Sequence, residues 1–486
     1  MAFPQENSQW PPPAWQFWFD KFREWGAWYS GDEETLIRYY GNKVTPAIKN
    51  TFWQNQAVEK RSNSVKVHLP IAGDIASTSA NLLFGEVPDI QYDEDAGGGD
   101  RIKQFLEDNA FYNLILEGAE MSAGLSGLFF KLDIDPELMD VPVVSAITPI
   151  QALPEFTRGM LTAVTFYQVV RREQSGKTYR LFEDRRRENG QLVIRYRLYD
   201  GSHDRIGLPM DLNQLEETAG MDLEDISYNM EGLGCVYIPN MRPNRLQPGN
   251  ALGVSDYQGA LSLMSSLDET WSSLMRDIRL GLGRVLVDEE LVDENDSFDV
   301  FNEVFLKLKM GDLRVGSDSY DPIKEVQFDI RVDEHLRTVE ELCGQIASRA
   351  GYNPQTLGFN IQGQAESGTA LHIRERKSLL TREKKSRYWQ PALRQLLTQM
   401  QQMDIESSLS TRYTPQTVYV SMQDGVVPNE REESETIRNL DQAKAISTLM
   451  KVRKQHPDWE EKEVLEEVER IRNENGSEGM PFPGLP

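Results

Sequence analysis

The chain is poor in the residues that most catalytic and metal centres are built from. Its 486 residues include two cysteines and five histidines. Cys235 and Cys343 lie too far apart in sequence to make a disulfide framework or a metal knuckle, so free, buried thiols of an intracellular protein are expected. His68, His203, His335, His372 and His456 show no HExxH or other metal spacing, so no metal or cofactor is expected. The phosphate-loop pattern GxxxxGK[ST] is absent, which excludes a P-loop motor. Gly281-Leu282-Gly283 lacks the third glycine and the preceding strand of a dinucleotide fingerprint. Gly124-Leu125-Ser126-Gly127 is not a GxSxG elbow and reads as a tight turn or close packing. No apolar run reaches the roughly 18 residues of a membrane helix. The N-terminus shows no basic segment followed by an apolar stretch, so no secretion signal is read there.

Positive charge is also short. Lys and Arg number 52 against 77 Asp and Glu, a net charge of −25. Such a field repels nucleic acid at long range and excludes an ordinary tight DNA binder. It is compatible with a protein that lets DNA pass without holding it. The content is 39% hydrophobic and 27% charged, that of a folded globular chain long enough for several domains.

Periodicity predicts an α+β fold. Residues 1–30 hold Trp10, Trp15, Trp18, Trp25 and Trp28 with Phe17, Phe19 and Phe22, after or around Pro11-Pro12-Pro13. They read either as an amphipathic helix docked on the body or as a partner-binding arm. Helices are expected over Pro70–Phe84 and, unbroken, over Asp100–Met121. A β-rich module follows, with strands over Gly127–Ile134, Val141–Ile147, Ala163–Arg171, Lys177–Phe182 and Gln191–Tyr199; Asn189-Gly190 marks a hairpin turn. Asp204–Asn229 reads as an acidic loop with a helical turn, and Val236–Pro239 as a short strand.

Then comes an unusual order of parts. A helix starts after Ser255 or Asp256, either able to cap it, and runs to about Arg284. A strand-rich insert spans Val285–Arg331, and Asp333–Ala350 returns to helix. A Gly/Gln loop, Asn360–Thr369, leads into a helix over Ala370–Met403, on the order of 50 Å long, that Pro391 should kink. Thr417–Met422 is a last strand, and helices are expected over Glu430–Lys454 and Trp459–Asn475, the latter capped by Asp458. The Gly/Pro-rich residues from Gly476 read as a flexible tail. Two helices flanking an insert, with a loop feeding a long helix, suit the wall of a ring better than a catalytic pocket.

Four groups of residues are candidates for function. Asp133, Asp135 and Glu137 alternate, but without the glycine and terminal glutamate of an EF-hand. Asp288, Glu289, Glu290 and Asp293 open the densest acidic stretch, which reads as a solvated rim, a face for a basic partner or a repulsive lining. Arg374, Arg376, Lys377, Arg382, Lys384, Lys385 and Arg387 make the first half of the long helix basic. Being spread around the helix, they read as ion-pairing surface; Arg374, Lys377 and Lys384 stand out as inter-subunit or DNA contacts. In the loop, Gly363 allows movement, Asn360, Gln362, Gln364 and Ser367 can hydrogen-bond to phosphate without net charge, and Glu366 discourages tight capture. That loop is either a plain connector or faces a passing polymer.

In this order of parts the chain resembles the portal proteins of tailed double-stranded DNA phages, most closely those of long-tailed phages of Gram-positive hosts. The resemblance rests on Leu252–Gly283, the insert after it, Gly351–Gly368, the long helix, and Pro70–Pro88, and extends over roughly residues 30–475. It implies a wing over 31–250 beyond the aromatic arm, a stem helix at 251–284, a clip at 285–332 and a second stem helix at 333–359. It further implies a tunnel loop at 360–369, the long wing helix and a strand at 370–428, crown helices at 429–475 and a tail at 476–486. The family implies no enzyme activity and a homo-oligomeric ring of about twelve copies at a capsid vertex, assembled in the host cytoplasm. Its implied partners are the terminase large subunit, a head completion or adaptor protein, and capsid and scaffolding proteins. Double-stranded DNA would pass through, in packaging and in ejection, without sequence specificity, and no membrane is involved. The competing readings are a monomeric scaffold or adaptor and a metal-dependent nuclease or hydrolase using Asp133 and Asp135. The resemblance gives the tryptophan cluster no role.

Overall fold

The computed structural model describes residues 3–41, 52–54, 66–93, 97–221, 225–280, 284–288, 305–308, 323–326, 330–359, 368–407, 409, 413–422, 437–440, 442–443, 446–455, 459 and 461–477. The chain divides into two units, Met1–Gln423 and Asp424–Pro486. The fold is mixed α and β, as the periodicity predicts.

The first unit opens with α1 (Gln16–Tyr29) and α2 (Glu33–Gly41). Trp18, Phe22, Trp25 and Trp28 fall at helical spacing on one face of α1 and are buried. They share a core with α3 (Ile71–Phe84), α6 (Leu261–Leu280) and α7 (Val332–Ala350). Residues 3–10 run as an arm, with a turn at Glu6-Asn7, along 204–207, through Asn7 N–H to Gly207 O and Ile206 N–H to Ser8 O.

The helix expected over Asp100–Met121 is two helices, α4 (Gly99–Asp108) and α5 (Phe111–Leu125). Asn109 breaks it. Its side chain donates to Phe105 O and Pro142 O and accepts from Val144 N–H, which turns the chain out of the helix. Ala110 then sits at φ 43°, in the left-handed region.

Three of the strands make a sheet of order β10-β2-β3: β2 (Gly127–Asp133), β3 (Val143–Ile147) and β10 (Cys235–Pro239). A second sheet runs β4 (Ala152–Thr157), β5 (Met160–Arg172), β6 (Thr178–Glu188), β7 (Gln191–Gly201) and β8 (Leu208–Met210), with β9 (Ile226–Tyr228) also on β7. Strand β6 continues to Glu188, six residues beyond the expected end, because Glu183 to Arg187 pair in register with Tyr196 to Leu192. Charged side chains hid that strand. The expected acidic loop contributes β8, β9 and a 3-10 turn, Leu212–Gln214, capped by Asp211. Strand β1 (Asp89–Gln91) pairs with β14 (Tyr419–Ser421).

Helix α8 spans Gly368–Glu406 and runs through Pro391 as one helix. Trp389, Leu393, Leu396, Leu397, Met400 and Met403 bury its C-terminal half among α3, α4, α5, β2 and β14. The second unit contains α9 (Thr448–Gln455) and α10 (Glu461–Ser477), joined by Val452, Val464 and Val468. The long helix expected over Glu430–Lys454 is therefore described as helix only in part, and Asp458 lies outside the described residues.

Candidate channel wall and its anchor

Helices α6 and α7 are an antiparallel pair. At one end Asp277 accepts from Arg331 Nη2 (3.2 Å) and lies 3.1 Å from His335 Nε2. The hydrogen bond from His335 is the main cause that holds the Asp277 carboxyl below its usual range; burial opposes it, and the hydrogen bond and charge of Arg331 add to the lowering. At the other end Asp256, just before α6, meets Tyr352, just after α7. Between the two helices the chain makes a three-stranded sheet of β11 (Arg284–Asp288), β12 (Phe305–Leu308) and β13 (Ile323–Val326), parallel in β11–β12 and antiparallel in β11–β13.

Burial changes along this hairpin. The buried residues of α7 are Cys343, Ile346, Ala347 and Ala350, all in its last two turns. Nearer the insert, Ile278 is 42% exposed, Val332 38% and Leu336 39%. The apolar stripe thus continues beyond the region that the described residues cover.

The root of the hairpin is locked by polar groups. Asp256 does not cap α6, contrary to the expectation from sequence. Its carboxylate is buried and accepts from Lys385 Nζ (2.6 Å), Tyr352 OH (2.7 Å) and Asn240 Nδ2 (2.7 Å). Lys385 also donates to Ser79 Oγ at 2.6 Å. One carboxylate therefore joins the end of β10, the segments before α6 and after α7, and α8, and through Lys385 it reaches α3. Burial lowers the Lys385 pKa, and the charge and hydrogen bond of Asp256 oppose that shift. Burial, then the Asp256 charge, raises Tyr352 well above the ordinary phenol range. The Ser79–Lys385 contact is the type of pair that could activate a hydroxyl. At 1% and 2% exposure, however, it admits no substrate.

A second anchor lies one layer away. Asp268 of α6 accepts from Leu69 N–H (2.9 Å) and Trp53 Nε1 (3.1 Å), and its Oδ2 is 2.9 Å from His68 Nδ1. Trp28 and Trp53 meet the His68 ring edge-on. The aromatic N-terminal region thus helps hold the root of the hairpin. That use of the tryptophans was invisible in sequence, since Asp268 stands 200 residues from His68.

The path into α8 is fixed on both sides of the Gly/Gln loop. Gly351 ends α7 at φ 98°, a conformation that favours glycine, and a Cβ there would meet Thr381 Oγ1 at 2.8 Å. Its carbonyl accepts from Thr381 at 2.7 Å. Ser378 Oγ accepts from Asn353 N–H and lies 2.9 Å from Thr356 Oγ1. Lys377 Nζ donates to Ser348 O (2.5 Å) and Ser348 Oγ (2.6 Å), so it bonds within its own chain. Lys384 is exposed, and for Arg374 only a place on α8 is described. Asn360, Gln362, Gly363, Gln364, Glu366 and Ser367 lie outside the described residues, as do Glu289, Glu290 and Asp293; Asp288 is the last residue of β11.

Asp133 is already engaged by cations of its own chain. Arg185 Nη2 lies 2.5 Å and Lys131 Nζ 3.0 Å away. Burial raises the Asp133 pKa, but these two charges outweigh it and hold the carboxyl below its usual range. Among the described residues no group of three or more His, Cys, Asp or Glu side chains could hold a metal ion. Cys235 and Cys343 are buried, and burial pushes their thiols up to about 12 and about 11. Among the described residues no helix is long and apolar enough to cross a membrane.

Among curated proteins, none matches the chain. Among solved structures it is similar to a chain from the neck of a native GTA particle computed with C12 symmetry. The TM-score is 0.40 and the identity 11%, over 78% of this chain and 89% of that one. The family model for phage portal proteins of the SPP1 Gp6-like type matches residues 32–479. That match takes in the α6–insert–α7 hairpin, its buried anchor and the whole of α8, and the chain belongs to this family of phage portal proteins.

Proposed function

We propose that about twelve copies of this chain close into a ring at one capsid vertex and form the channel through which genome DNA is packaged and ejected. The portal family membership supports this reading, and the burial gradient along α6 and α7 is the observation that carries it. Two helices cannot enclose a core by themselves. Ile278, Val332 and Leu336 stay in water unless a neighbouring copy covers them. A contact between two different faces of one chain propagates from copy to copy and closes when the rotation fits, which gives a ring.

Within that ring α6 and α7 are the stem, and the insert at 285–332 is the clip. Residues 360–369 are the tunnel loop, 31–250 the wing and 429–475 the crown. The net charge of −25 suits a conduit, because each phosphate contact would add affinity and slow passage. The protein acts as a structural part of the virion, without enzyme activity of its own. The clip receives the terminase large subunit during packaging and the head completion protein afterwards, while the body meets capsid and scaffolding proteins.

The clip assignment has a direct test. Charge reversal of Asp288, Glu289 and Glu290 to lysine should leave assembly unchanged and weaken terminase or adaptor binding by roughly tenfold or more, measured by co-sedimentation at moderate salt. Unchanged binding in the triple variant would remove the docking role from this stretch.

A further inference from the structure

The two legs of the α6–α7 hairpin carry opposite charge where they approach the insert. In the last turns of α6, Arg276 and Arg279 are exposed, three residues apart and so on one side of the helix. In the first turn of α7, Asp333 and Glu334 are exposed. Among the described residues, the ion pairs at this end of the hairpin are those of Asp277 with Arg331 (3.2 Å) and His335 (3.1 Å), and they leave all four out. Placed at an N-terminus, the two acids suit the dipole of α7, but the dipole does not cancel their charge. Glu340 and Glu341 extend the acid along α7, against Arg337 as the exposed cation of the same turns. On α6 the exposed carboxylate is Glu269, seven residues before Arg276 and about 10 Å away along the axis.

The four charges cannot meet within one copy. Asp277 and His335 face each other across the pair of helices. Successive residues of a helix step by about 100°, so Arg276 and Arg279 fall about 100° and 160° from Asp277, on the side of α6 turned from α7. By the same count Glu334 and Asp333 fall about 100° and 160° from His335, on the side of α7 turned from α6. Between copies the heights agree. All copies of a ring stand at one level, so the levels fixed inside one copy also hold across a contact. The helices are antiparallel and Asp277 is level with His335, so Arg279 comes level with Asp333. Glu334 comes level with Ile278, between the two arginines.

We infer that α6 of one copy docks on α7 of the next, with Arg276 and Arg279 paired to Asp333 and Glu334 of that next copy. The inference rests on the ring proposed above and names the faces that meet in it. The two faces differ, so each copy offers the basic one to one neighbour and the acidic one to the other, and the row ends only by closing. Like faces repel, which disfavours a two-fold pair of hairpins.

The test is ring assembly of the full chain, read by sedimentation at moderate salt. Arg276→Glu with Arg279→Glu makes both faces acidic, and Asp333→Lys with Glu334→Lys makes both basic. All four side chains are exposed, and circular dichroism matching the natural chain confirms the fold of each variant. Either variant alone is expected to form rings at least roughly tenfold less than the natural chain. Mixed in equal amounts the two regain rings, because each acidic face then finds a basic one on alternate copies. Either variant closing alone as the natural chain does, or a mixture that stays unassembled while the natural chain closes, overturns the inference and leaves the ring standing. A natural chain that forms no rings refutes the ring itself, and this contact with it.

Discussion

Lys385→Met lowers the stability of the chain by about 3–5 kcal/mol, because it leaves the Asp256 carboxylate buried without its cation. The side chains are close in length, so little packing changes. Tyr352 and Asn240 still donate to Asp256, but neither carries charge. The double variant Lys385→Met with Asp256→Asn regains most of the loss, since it buries no net charge. Lys384→Met, one residue away and exposed, changes stability by no more than about 0.5 kcal/mol. Denaturant unfolding of the four proteins separates these outcomes. A Lys385→Met variant as stable as Lys384→Met would show that the pair does not anchor the hairpin.

Deleting Gly363–Gly368 should leave rings intact and cut DNA packaging to roughly a tenth of the natural level or less. The residues on both sides are tied down without the loop. Gly351 and Asn353 are held by Thr381 and Ser378 of α8, and Lys377 is held by Ser348 of α7. Shortening the connection therefore leaves the α7–α8 contact in place and removes only what the loop presents. Packaging in vitro, with ring assembly followed in the same preparation, gives both readings. Full packaging by the shortened chain would return the segment to the role of a plain connector.

Much of the fold was legible because it follows from local patterns. The α6–insert–α7–α8 order came from helical spacing and from Gly351. The β6–β7 hairpin came from Asn189 and Gly190, which indeed take φ 52° and 88°. The failures were long-range. Asp256 has the right residue type and place for a helix cap, yet a lysine 129 residues away claims it. A signal for this existed. Ser378, Thr381, Lys385 and Trp389 fall on one stripe of α8, and all are buried. Counting the seven cations as spread around the helix concealed the inward place of Lys385. Asn109 was passed over in the same way: its neighbours keep a helical rhythm, while its side chain bonds to the backbone of Phe105 before the break and of Val144 in β3. The side of the sheet on which Arg172 lies depends on a one-residue slip in β5, which no reading of alternation could supply.

The central claim is that neighbouring copies hide the exposed end of the α6–α7 hairpin by closing around an opening. Negative-stain imaging of the purified chain and of assembled particles tests it most directly. Rings with a central hole wide enough for duplex DNA are predicted in both. Single-chain particles without an opening, in solution and in the particle alike, would contradict it.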